Sequence, residues 1–206
     1  IMTKTLRIAS SILKPKAWLN YRWNSTLILS EPFVAKLPSI ATLSAATAAT
    51  QLGSDQIFLV VFGDELPIQT PEGITSILHL PGLKMNTQTL HSVIEDAVVK
   101  HNCTHVIAST PLFLTEVSKQ LNVPLVMDVV EIDNRERFRT GDDRKETYVP
   151  DTLKMLCIRS SAFKSALLRE PVVAIVLRED SKAVKLTYKI MPIFLLFIGL
   201  VMVIPD

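Results

Sequence analysis

The sequence predicts an α/β fold, a three-layer sandwich in which helices cover a mainly parallel sheet. Three observations carry that expectation. The first is TLSAATAATQLGSDQIFLVVFG, residues 42–63, where a run of Ala and Thr gives way to Leu-Gly and then to an almost wholly apolar segment. A helix with so little side-chain bulk can lie close against a sheet, and Gly53 supplies the left-handed residue that ends helices. Residues 57–62 are too continuously apolar for a strand with one wet face, so both faces are covered, as in a parallel sheet. The second is the alternation of such apolar runs with helical patterns along the chain, which asks for crossover connections through helices. The third is TQTLHSVIEDAVVK, residues 87–100, where Leu90, Val93, Ile94, Ala97 and Val98 share one face at helical spacing.

Taken in order, STLIL at 25–29 reads as a first short strand, and the proline-bearing EPFVAKLPS leads to a helix over 40–52. The buried strand over 57–62 follows. GDELPIQTPEG reads as a polar loop, and ITSILHL alternates, which suggests a shorter, more peripheral strand. After the helix over 87–100 comes a buried strand, THVIAS, at 104–109. LTEVSKQL is a helix that stops before Asn122 and Pro124, because the residue before a proline is pushed out of the helical region. PLVMDVVEI is a strand. From Asp133 to Glu146 five acids and five bases cancel, the texture of a solvated hairpin or loop rather than a ligand site. LKMLCIRSSAF reads as the final strand of the domain.

A chain of 206 residues, 48% hydrophobic, can bury one main core with appendages. Its net charge of +2 comes without a Lys/Arg stripe interleaved with aromatics, so no nucleic-acid partner is expected. Two cysteines, Cys103 and Cys157, make no secreted-type disulfide framework and are expected reduced and buried. The ends differ from the middle. Residues 1–24 hold Lys4, Arg7, Lys14, Lys16 and Arg22, and no acid precedes Glu31, the composition of an import presequence. IMPIFLLFIGLVMVIP, residues 190–205, has no charged residue, yet a helix of that length rises only about 24 Å against a hydrocarbon core of about 30 Å. Three readings stay open: a short or tilted membrane anchor, an element buried in a partner, and the altered end of a gene.

Recognisable chemistry is sparse. There is no Gly-x-Gly-x-x-Gly, phosphate loop or Gly-x-Ser-x-Gly, and only six glycines, which leaves few places for backbone amides to approach a phosphate closely. His101, Cys103 and His105 alternate in HNCTH and would face zinc together only in an extended segment. They fall instead at a helix–strand connection, with no fourth ligand. Asn24-Ser25-Thr26 and Asn102-Cys103-Thr104 match the glycosylation pattern, a coincidence in a chain with an import leader. No Ser–His–Asp or Cys–His arrangement can be assembled, so the sequence nominates no catalytic, cofactor-binding or metal-ligating residue.

TLILSE, then ATLSAATAATQLG running into a strand that ends at Gly63, then CTHVIAS, LNVPLVMDVVEI and IRSSAF, resemble in order and spacing the N-terminal domain of the electron transfer flavoprotein alpha subunit. The resemblance covers residues 25–163, and its sharpest part is Thr42-Leu43 with Thr47-Ala48-Ala49 and Leu52-Gly53. It implies a nucleotide-binding-like α/β domain, a beta-like partner subunit, the mitochondrial matrix, and FAD that takes electrons from dehydrogenases of fatty-acid and amino-acid oxidation. In that family the flavin is held chiefly by a second, C-terminal domain. Residues 164–206, with PVVAIVL, KAVKLTY and the apolar run, resemble none of it. The Gly-Lys and Pro-Arg loop expected between Ser109 and Leu121 is missing, and GDDRKE replaces the Tyr-Ala-Gly-Asn stretch expected after Arg139. The expectation is thus a targeting segment at 1–24, an alpha-like domain at 25–163 and a divergent tail at 164–206. Binding to a beta-like subunit would be its remaining activity, with no FAD site and no catalysis of its own. The alternative is an accessory subunit of a mitochondrial membrane complex, held at the inner membrane through residues 190–205.

Overall fold

The computed structural model describes residues 24–177 apart from 112 and 151. The expected presequence, save Asn24, and the apolar run at 190–205 lie outside the described residues. Elements follow one another as β1 (Ser25–Leu29), α1 (Ile40–Gln51), β2 (Gln56–Phe62), β3 (Thr70–Pro71), β4 (Ser76–Leu80), α2 (Thr87–His101), β5 (Cys103–Ala108), α3 (Leu114–Leu121), β6 (Leu125–Ile132), β7 (Arg137–Thr140), β8 (Lys145–Tyr148), β9 (Lys154–Ile158), β10 (Leu168–Arg169) and β11 (Ala174–Val176). The fold is α/β around a nine-stranded sheet in the order β11-β4-β2-β1-β5-β9-β6-β7-β8. From β11 to β6 every neighbour runs parallel, and β7 and β8 close that end antiparallel.

Local chemistry explains the boundaries. Ser39 caps α1 by accepting from the Thr42 N–H, and Asn86 caps α2 in the same way through Thr89, each satisfying an amide with no partner inside its helix. Leu52 ends α1 and Gly53 follows at φ +63°. Asn102 and Asn122 hold the left-handed position after α2 and α3, a conformation their short polar side chains tolerate.

Two apolar clusters flank the sheet. On one face Ala45, Ala46, Ala48 and Ala49 of α1 pack with Ile28, Leu59, Ile107 and Leu156. On the other, Leu90, Val93, Ile94, Ala97 and Val98 of α2 and Leu114 and Val117 of α3 meet Leu27, Val60, Val106 and Met155. This agrees with the expected three layers. Phe138 of β7 is fully buried in the α1-side cluster, so the charged hairpin β7–β8 is fastened to the core by an aromatic anchor. Asp128 takes φ +55° where the register of β6 against β9 shifts, a bulge that re-aims the strand.

Three sequence expectations change. ITSILHL is not peripheral: β4 is buried along four of its five residues and flanked by β11. LKMLCI is not the last strand, because β9 slots between β5 and β6 and the sheet continues past Phe163 with β11. The polar loop after β2 contains β3, which pairs antiparallel with β10. Two-residue strands have no periodicity to read, and three residues of edge strand inside an apolar stretch look the same as a tail.

Candidate functional site

Open α/β sheets bind ligands at the carboxyl ends of the strands, where the strand order reverses. Here the chain leaves β1 for β2 on one side and later places β5 on the other, so the reversal falls between β1 and β5. Glu31, two residues past β1, occupies that crevice. Its Oε2 accepts from Ser39 Oγ at 2.9 Å and its Oε1 from Ser109 Oγ, just past β5, at 2.8 Å. The Glu31 N–H donates to Thr42 Oγ1 at 3.2 Å, and the Thr42 N–H to Ser39 Oγ at 3.1 Å. The carboxylate therefore sits beside the N-terminus of α1, whose dipole favours negative charge, and ties the loops after β1 and β5 together.

That geometry bears on whether this crevice could take a dinucleotide; the FAD implied by family resemblance is held, in that family, chiefly by a second domain. The residues do not suit a dinucleotide: a pyrophosphate at the α1 N-terminus would meet the Glu31 carboxylate, and residues 30–39 include no glycine to let backbone approach it.

A second polar centre lies at the opposite, amino ends of the strands. His105 and Lys154 are completely buried. His105 Nε2 lies 2.9 Å from the Arg135 carbonyl, which can only accept, so Nε2 carries a proton, and Nδ1 lies 2.9 Å from the Thr104 hydroxyl. Lys154 Nζ donates to the same Arg135 carbonyl at 3.0 Å and to that of Val149 at 3.4 Å. The Arg135 guanidinium reaches the end of α1, where Nε donates to the Leu52 carbonyl at 3.1 Å and NH2 to that of Gly53 at 2.6 Å, a cation at a helix C-terminus. With its amide oxygen turned to the guanidinium, Asn24 accepts from Arg135 Nε at 2.9 Å. Two shallow polar depressions of about 460 and 500 Å³ flank this turn, around Asn134 and Glu136.

Beyond the carboxyl end of β9, Arg159 forks onto Asp128, with Nε donating to Oδ1 at 2.8 Å and NH2 to Oδ2 at 2.5 Å, while NH1 reaches Asp142 in the hairpin turn. The hydrogen bond from Arg159 holds the Asp128 carboxyl below the usual carboxylate range.

The residues weighed for zinc do not converge. His101 ends α2 with its ring 4.5 Å from that of Phe58, and burial holds it below the ordinary imidazole range, offset in part by Asp96. Cys103 opens β5, its thiol donating to the His105 carbonyl at 3.2 Å, and His105 turns to Arg135. Among the described residues no three His, Cys, Asp or Glu side chains come together as ligands. Burial pushes the Cys103 thiol up to about 12 and raises that of Cys157 as well, which makes both poor nucleophiles. Of the two glycosylation-type asparagines, Asn24 is buried and Asn102 closes α2.

Sequence reasoning missed Glu31, Arg135, Lys154 and the Arg159 clip. Ser39 just before the helix is a residue type that caps helix starts, but nothing in the sequence places Ser109 opposite Glu31. No protein-family model matches the chain, and no curated protein matches it.

Proposed function

We propose that this chain is an electron transfer flavoprotein alpha-subunit-like protein of mitochondrial electron transfer, reduced to binding a beta-like subunit and holding no flavin of its own. The segments that carry the sequence resemblance form β1, α1, β2, β5, β6 and β9, the contiguous centre of the sheet. One observation supports the reading most: Glu31, in the TLILSE segment that carries the resemblance, accepts from Ser39 and Ser109 and so ties the loops after β1 and β5 together. A domain whose core matches the resemblance, in a family that holds its flavin chiefly in a second domain, has its surface as a means of action. Because a fold hosts many functions, the partner claim needs its own test. The full chain is to be co-expressed with an electron transfer flavoprotein beta subunit and the complex isolated by size exclusion. The expected result is a one-to-one complex, with no flavin absorbance on the chain purified alone. Stoichiometric FAD on the isolated chain, or failure to co-elute with the beta subunit, overturns it.

A further inference from the structure

We propose that the outer edge of β8 pairs antiparallel with the β8 edge of a second copy of this chain, about a two-fold axis through Thr147. This stands independently of the flavoprotein reading. β8 ends the nine-stranded sheet, and among the described residues no strand pairs with its outer side. Its register against β7 sets Arg137 opposite Tyr148, Phe138 opposite Thr147, Arg139 opposite Glu146 and Thr140 opposite Lys145. Just beyond, the Val149 N–H donates to the Glu136 carbonyl at 2.8 Å, which makes Glu136–Val149 a bonded pair of that ladder. Bonded and non-bonded pairs alternate in antiparallel sheets, so Lys145 and Thr147 direct their N–H and C=O to β7. Those of Glu146 and Tyr148 point away from it, an unpaired row of the kind that templates another strand.

The residues on the edge select a second copy as the occupant. Two outward residues, met by the same two on an identical antiparallel strand, form four backbone hydrogen bonds only when Glu146 faces Tyr148 of the other copy. A shift that sets Glu146 against its own counterpart places like charges directly opposite. A shift the other way, with Tyr148 against its counterpart, brings Glu146 to Pro150, which has no N–H to donate. The remaining register is the one that suits the charges. Each row across the join runs Arg139, Glu146, then Tyr148 and Arg137 of the second copy, so no two like charges stand directly opposite. Glu146 already lies 3.6 Å from Arg137 within its own copy, and Tyr148, 59% exposed, gains a neighbour on its open side. Thr147 meets Thr147 on the axis, a cross-strand pair that sheets favour.

The test uses the full 206-residue chain carrying Thr147→Cys, in which the native Cys103 and Cys157 are buried. A non-bonded pair on the axis holds its Cα atoms about 4.5 Å apart, within the span of a disulfide. Lys145→Cys, on the same strand, would stand about 14 Å from its counterpart and serves as the control. The expected result on mild oxidation is a disulfide-linked dimer from position 147 and none from position 145. Sedimentation equilibrium of the parent chain is expected to show the dimer mass at about 100 µM, a concentration suited to a small interface. Tyr148→Pro removes only an outward N–H, at an edge position where proline is tolerated. It is expected to weaken association about tenfold through the two hydrogen bonds lost across the axis. A parent chain that stays monomeric, a dimer that does not link at 147, equal linking at 145, or association indifferent to Tyr148→Pro overturns the proposal.

Discussion

Lys154 begins β9 with its entire side chain out of water, and its ammonium is held by the carbonyls of Arg135 and Val149. Burying a charge is tolerable only where such partners surround it. Lys154→Ala takes a donor from both carbonyls, leaving that of Arg135 only His105 Nε2, and opens a cavity at the start of β9, so a loss of about 2–4 kcal/mol is expected in urea unfolding. Lys154→Met keeps the volume and is expected to lose less. At Asp128 the sign follows from the Arg159 fork, which lowers the folded carboxyl below its unfolded value of about 3.9. A lowered folded value gives stability that is present above the unfolded one and is lost as pH falls through the folded one. The melting temperature of Asp128→Asn is therefore expected to lie below that of the parent at pH 7, and the gap to close as the pH is taken below about 3.9. Asn tolerates the left-handed backbone at this position, so a gap that persisted in acid would mean that the side chain acts through something besides its charge.

At the scale of elements, α1 shows why small residues matter. Ala45, Ala46, Ala48 and Ala49 have essentially no exposed surface because the helix backbone approaches the sheet closely. Ala46→Leu forces extra methylenes into a filled space, and a loss of about 1–3 kcal/mol is expected, read from the denaturation midpoint. An unchanged midpoint would show that α1 rides higher over the sheet than described. This helix was legible in the sequence for the same reason, as were α2, whose apolar face is the predicted one, and the central strands, whose continuous apolar runs admit no wet side. The hairpin β7–β8 was legible only as a solvated element. Phe138 carries the hairpin into the core, yet amid charged neighbours one aromatic gives no periodic signal. The crevice could not be read at all, since Glu31 and Ser109 are 78 positions apart and meet only through the reversal of strand order.

For the molecule as a whole, the decisive placement is that of β9. Strands β5 and β6 are separated by a single helix in sequence, yet they are not neighbours in the sheet, because Lys154–Ile158 lies between them. Contacts between strands distant in sequence form slowly, since the loop between them must close first. A chain ending at residue 150 would lack the strand that joins the two sections of sheet, and a fragment of residues 24–150 is expected to unfold without a sharp transition in circular dichroism, whereas the full chain melts in one step. A sharp melt of the fragment would show that the two sections are stable apart. On the ribosome the same geometry makes the nascent polypeptide wait: β1 through β8 emerge with a gap among them, exposing apolar edges to any chaperone or neighbouring chain until the missing strand arrives to fill it.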